Sequence, residues 1–110
     1  MTINLSSVVK NIPGLELLKG AVDVHVHCCP HINHRTVDLF DAVRQAKDVG
    51  MVGIGLMDVF SNSSGLAELA NRELGENGVS VFGGIILEPY AGGLSEKVVE
   101  TALMMGFNGG

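Results

Sequence analysis

The chain has 110 residues, of which 46% are hydrophobic and 17% are charged, and its formal net charge is −5. This length allows one domain with a sizeable core, and the acidic balance argues against a nucleic-acid or anionic-membrane partner. No apolar run approaches the roughly 18 residues of a membrane span, and no basic segment leads an apolar stretch as in a signal peptide.

Strand-like and helix-like segments alternate along the chain. Residues 1–20 are expected to form a lead-in segment, in which residues 4–10 could be a short helix that ends before Pro13 and Gly14. In residues 21–110, the predicted strands cover residues 21–27, 51–59 and 79–87. The predicted helices cover residues 36–49, 64–74 and 95–105, with Thr36 and Ser95 as caps. Strands separated by helices imply parallel pairing, and the sequence therefore predicts an α/β fold of about three βα units.

The first predicted strand ends in a motif that can bind metal. Because side chains alternate along a strand, Asp23, His25 and His27 are predicted to share one face. Neutral imidazoles two residues apart can hold one zinc-like cation, and a carboxylate one step back could orient one of them. The alternative is a polar strand end whose histidines bind solvent or backbone groups.

Charged residues follow the other strands and the first loop. Asp58 and Glu88 end the second and third predicted strands, and the carboxyl ends of parallel strands meet at one edge of a sheet. Each carboxylate could bind a metal or a catalytic water, or could cap its own loop. Arg35 could clamp a substrate carboxylate or phosphate, or could pair with Asp38.

The loop after the first strand carries further possible ligands. His31 and His34 could extend a metal site, but the sequence favours solvated loop histidines. Cys28 and Cys29 are adjacent, whereas structural zinc sites usually have two to four residues between paired cysteines, so we interpret them as small loop residues. Neighbouring cysteines rarely pair with each other, and a reducing cytoplasm is the simplest compartment.

The ordered motifs resemble those of the amidohydrolase superfamily, whose members are metal-dependent TIM-barrel hydrolases. His25 and His27 match the His-x-His of that superfamily's first strand. The chain resembles one poorly characterised branch of that superfamily more closely. That branch has an Asp-x-His-x-His-x-x-Pro opening, a downstream Arg, a Phe-Gly-Gly strand and a Gly-Gly-Leu loop before a helix. The corresponding residues here are the segment from Asp23 to Pro30, Arg35, Phe82-Gly83-Gly84 and Gly92-Gly93-Leu94. The resemblance implies the N-terminal part of a TIM-like barrel in residues 21–110. It also implies that the protein hydrolyses a small polar substrate with the help of a divalent metal, of which zinc is the first choice. His25 and His27 would hold that metal.

The chain departs from that resemblance at several positions. Met57 and Val59 stand where such relatives carry Lys and His, and His31 stands where an Asp is expected. The ligands and the general base that the superfamily takes from later strands have no counterpart here. We therefore expect an incomplete hydrolase. The alternative is a non-catalytic fragment, or a metal-binding module that forms homo-oligomers.

Overall fold

The fold is a three-stranded parallel sheet with α-helices between and after its strands, in a computed structural model that describes residues 12–107. The strands are β1 (Val22–Val26), β2 (Gly53–Leu56) and β3 (Ser80–Phe82), in the order β1-β2-β3. The α-helices are α1 (Leu39–Asp48), α2 (Ser64–Leu74) and α3 (Glu96–Phe107). Short 3-10 helices cover Leu15–Leu18, Gly75–Asn77 and Pro89–Ala91. The predicted α/β class and the parallel pairing are confirmed, and the sheet is open.

The core lies between one face of the sheet and helices α1 and α2. Ile54 and Leu56 of β2 pack in one cluster with Val81 of β3 and with helix residues that include Val43, which is completely buried. The opposite face has glycines at its centre. A Cβ on Gly53 would lie 3.0 Å from the Phe82 ring and 3.3 Å from the Val22 side chain. Val22 is 46% exposed and Phe82 is 53% exposed, so the helices cover this sheet on one face only.

Strand β1 contains an irregularity that changes the predicted placement of Asp23. Asp23 pairs with Ile54, whereas Val26 pairs with Leu56, so β1 has one more residue than β2 over this interval. Simple alternation fails across such a bulge. The Asp23 carboxylate accepts the backbone N–H of His25 at 3.0 Å. The Asp23 carboxylate thus bonds the backbone beside the pair, and the described residues show no hydrogen bond from it to an imidazole.

Helix α2 has the predicted bounds, helix α3 continues two residues past its predicted end to Phe107, and the three strands and helix α1 are shorter than expected. Helix α1 begins at Leu39 and not near Thr36, because the Asp38 carboxylate caps it by accepting the Asp41 N–H at 2.7 Å. Strand β3 ends at Phe82, because the chain then turns to Ser63, whose N–H donates to the Gly84 carbonyl at 3.0 Å. The predicted leading helix at residues 4–10 lies outside the described residues.

Within residues 12–107, no helix is both long and apolar enough to cross a membrane.

Candidate functional site

The two histidines at the end of β1 converge, as their spacing predicts. His25 Nε2 and His27 Nε2 lie 2.9 Å apart, and the ring centroids are 4.8 Å apart in an edge-to-face arrangement. Gly55 makes room for this strand end, because a Cβ there would lie only 2.8 Å from the Val24 carbonyl oxygen. The bulge and the glycine opposite it thus allow the backbone to place both imidazoles at one point.

Hydrogen bonds define the proton positions in the pair. His27 Nδ1 lies 2.8 Å from the Met57 carbonyl oxygen, which can only accept, so Nδ1 carries the proton. His27 Nε2 is then left with a free lone pair, which is the form that binds a metal. His25 Nε2 must donate to that lone pair in the metal-free pair. For His25 to bind a metal through Nε2, its proton must move to Nδ1.

The pair has nearly the spacing that a zinc ion requires. Two nitrogens on a tetrahedral zinc, each about 2.05 Å from the metal, are about 3.3 Å apart. The observed 2.9 Å needs a small opening. Within the described part of the chain, no three His, Cys, Asp or Glu side chains group closely enough to hold a metal ion. Residues 1–11 and 108–110 contain none of these four residue types. The described fold therefore brings together two side chains that could bind a metal, and not three.

Asp58 is held in its own loop. Its two carboxylate oxygens accept the Phe60 N–H at 2.8 Å and the Ser61 hydroxyl at 3.0 Å. This is the loop-capping arrangement that the sequence left open. The side chain is 12% exposed, and one oxygen also lies 3.7 Å from His31 Nε2. Asp58 therefore has limited freedom to bind a metal or to act as a base.

His31 lies inside the cluster, and the expectation of a solvated side chain is wrong. Its side chain is 3% exposed, and its ring meets His27 at 6.0 Å and Phe60 at 5.6 Å between centroids. Its Nδ1 accepts the Asn33 N–H at 3.0 Å, which places the proton on Nε2. His31 thus presents a donor toward Asp58 and not a lone pair toward a metal. His34, by contrast, is exposed as expected.

Arg35 and Glu88 are placed differently from each other. Arg35 is partly buried, and its Nε is buried without a hydrogen-bond partner among the described residues. The alternative pairing with Asp38 is not among the ion pairs of residues 12–107. Arg35 therefore keeps unused donor capacity. Glu88 is exposed, and its backbone carbonyl accepts the N–H groups of Ala91 and Gly93. Its described bonds therefore close a turn.

The adjacent cysteines are both free thiols. Burial, with smaller contributions from Cys29 and Asp38, raises the pKa of the Cys28 thiol from 9.0 to about 11. The Cys29 thiol donates to the Arg35 carbonyl at 3.6 Å. A protonated, buried Cys28 is a poor metal ligand, which agrees with its interpretation as a small loop residue.

The structure adds residues that the sequence did not single out. The Met57 carbonyl fixes the His27 tautomer, although the Met side chain gives no signal of this. Phe60 and Tyr90 continue the row of rings, with centroids 5.1 Å apart. Both follow strand ends, but only tertiary contact reveals that they meet.

Comparison with known proteins gives one match, to a protein-family model. That model, described as a family of unknown function (DUF6282), matches residues 20–109. No curated protein and no solved structure matches the chain. The matched region holds the whole sheet and every candidate site residue. The chain therefore belongs to the family of unknown function DUF6282.

Proposed function

We propose that this chain carries the first-strand ligand pair of a metal-dependent hydrolase of the amidohydrolase type. The observation that carries the proposal is the meeting of His25 Nε2 and His27 Nε2 at 2.9 Å. The Met57 carbonyl leaves His27 in its ligand tautomer. Imidazole suits zinc among the common divalent metals, and zinc is the metal that we propose.

The sheet supports the first units of a TIM-like barrel as the proposed architecture. Parallel sheets are almost always covered on both faces. Here the face of Val22 and Phe82 is open, and this is the face that would line a barrel interior. The candidate residues follow the carboxyl ends of strands, where barrel enzymes place their sites.

The chemistry assigned to the site is hydrolysis of a small polar substrate. A bound divalent metal would lower the pKa of a water and polarise the scissile group. His25 and His27 would hold that metal, and the partly buried guanidinium of Arg35 would bind an anionic substrate group. Asp58 and Glu88 are proposed as polar support, since Asp58 is engaged by its loop and Glu88 is exposed. A catalytic zinc usually has three protein ligands, so the proposed enzyme needs groups beyond this pair.

A second candidate is a metal-binding module without turnover. Two ligands, rather than a full catalytic set, favour it, and so do the exposed apolar residues beside the pair, with Val24 72% exposed. Exposed apolar surface supports a homo-oligomer as the proposed assembly. The net charge of −5 supports a small molecule over nucleic acid as the other partner. The two free thiols support a cytoplasmic location.

Metal analysis combined with hydrolysis assays tests the proposal. The 110-residue chain purified without chelator should contain zinc, and His25→Ala with His27→Ala should lose it. The same chain should hydrolyse ester, amide and lactone probes no faster than free zinc, because general-base catalysis is worth about 10²–10⁴-fold and residues 12–107 place no unengaged base beside the pair. A longer protein that includes any further barrel strands encoded by the same gene should hydrolyse these probes faster. Zinc-free protein after incubation with zinc would refute the proposal.

A further inference from the structure

We infer that zinc joins two copies of this chain through a site built from His25 and His27 of each copy. The inference rests on the proposed role of these two histidines as metal ligands. It adds the identity of the remaining ligands and the partner that supplies them.

Coordination number gives the first argument. Zinc in proteins that is not catalytic is almost always four-coordinate and tetrahedral. One chain offers two imidazole nitrogens at one point, at a spacing close to one edge of such a tetrahedron. A two-fold axis passing through the metal turns two ligands into four without any other residue. Symmetric dimers are the commonest protein assembly, and each copy then uses the same surface.

The location of the pair gives the second argument. Strand β1 is an edge strand of the sheet, and His25 on it is exposed. The His25 side of the pair is therefore open to a second molecule, and His27 is partly buried, whereas the His31 side chain is 3% exposed. Val22 and Val24 of the same strand are 46% and 72% exposed. Two copies that meet at His25 and His27 would bring these valines toward each other and remove apolar surface from water.

The sheet edges give the third argument, because they disfavour a dimer that forms by strand pairing along an exposed edge. Exposed edges normally attract another strand through unpaired backbone groups. Here the Asp23 carboxylate holds the His25 N–H at 3.0 Å. At the other edge, the Asn71 side chain bonds both the N–H and the carbonyl of Val81, each at 2.8 Å. With these backbone groups occupied, contact through side chains and a bridging metal is favoured over continuous strand pairing.

The bridged site has a defined chemical character. His27 keeps its Nδ1 proton on the Met57 carbonyl and binds through Nε2. His25 binds through Nε2 after its proton moves to Nδ1. Four neutral imidazoles leave zinc without an open position, so the bridged form stores or links zinc and does not hydrolyse substrates. Each copy carries a net charge of −5, and the two positive charges of zinc offset part of the repulsion between copies.

A zinc titration of the full 110-residue chain, followed by light scattering after size-exclusion chromatography, tests the inference. The expected result is binding that saturates at half a zinc ion per chain, with a doubling of mass that chelator reverses. Cobalt in place of zinc should give the intense visible bands of a tetrahedral site. His25→Ala should remain at the chelated mass, while His34→Ala, which changes an exposed histidine outside the pair, should behave as the unaltered chain.

The outcomes separate this inference from the proposed function. Binding of one zinc per chain with no change in mass would overturn the bridged dimer and leave the ligand pair of the proposed hydrolase intact. A dimer that forms equally with chelator would also overturn the bridge. The absence of zinc binding would overturn both.

Discussion

Gly83→Ala should strongly destabilise the sheet that carries the candidate site. A Cβ there would lie 2.5 Å from Ser64 Cα and 2.6 Å from the Ser63 carbonyl oxygen. Because both neighbours are backbone atoms, the segments must separate by about 1 Å to reach ordinary contact. Overpacking of this kind typically costs about 1–3 kcal/mol.

The same displacement strains the bonds of Ser63. Its hydroxyl donates to the Leu56 carbonyl at 2.7 Å and accepts the Gly84 N–H at 2.9 Å. Weakening these bonds adds about 0.5–1.5 kcal/mol each. We therefore expect Gly83→Ala to lower the free energy of unfolding by about 2–6 kcal/mol, a large part of the stability of a domain this size.

Gly75 provides a matched control, because a Cβ there would meet nothing within 4 Å and its φ of −60° suits alanine. Gly75→Ala should be neutral or stabilising by about 0.4–1 kcal/mol, through the lower entropy of the unfolded chain. Urea unfolding followed by far-ultraviolet circular dichroism measures both variants. Equal midpoints for Gly83→Ala and Gly75→Ala would refute the close packing of Gly83 against Ser63 and Ser64.

Further predictions concern Ser63, Asn71 and Cys28. Ser63→Ala should lower the free energy of unfolding in urea by about 2–3 kcal/mol, because it leaves buried backbone groups without a hydrogen-bond partner. Ser61→Ala, at an exposed position, should lower it by under about 0.5 kcal/mol. Equal losses in the two variants would show that the Ser63 hydrogen bonds between the segments after β2 and β3 are unimportant. Asn71→Ala should destabilise the chain and increase light scattering by freeing the edge of β3, whereas Arg72→Ala, which removes only an exposed ion pair to Glu68, should do neither. Cys28 should resist iodoacetamide near neutral pH in the folded chain and react in urea, because its pKa of about 11 keeps the thiol protonated. Burial of the protonated Cys28 thiol also makes stability depend on pH, because its folded-state pKa lies above 9.0. The stabilisation is complete below about pH 9 and is lost as the pH rises through about 11. A urea midpoint that does not fall over this range would contradict the burial of the thiol.

The sequence predicted those features that depend on local pattern. Periodicity and the flanking loops predict helix α2 with its observed bounds, and the two-residue spacing at a strand end predicts that the His25 and His27 rings meet, because it allows few arrangements. Thr36 and Asp38 are both suitable caps by residue type, and in the structure the Asp38 side chain caps the helix while its backbone forms a bridge with Cys29.

Features that depend on tertiary contact could not be predicted in this way. The bulge at Asp23 reflects a mismatch in residue number between two paired strands. His31 is buried because rings from two other segments surround it. Strand β3 stops at Phe82 because Gly83 and Gly84 leave the sheet to pack on Ser63. Each of these features depends either on contact with a residue more than four positions away in the sequence or on the register of two paired strands. The periodicity of apolar residues gives no information about either.

Nitrogen NMR of the histidine rings during a zinc titration tests the ligand pair most directly. The account predicts that the Nε2 signals of His25 and His27 shift together at the first additions of zinc, while His27 Nδ1 remains protonated on the Met57 carbonyl. Zinc that shifts only His31 or His34, or that leaves all ring nitrogens unchanged, would contradict it.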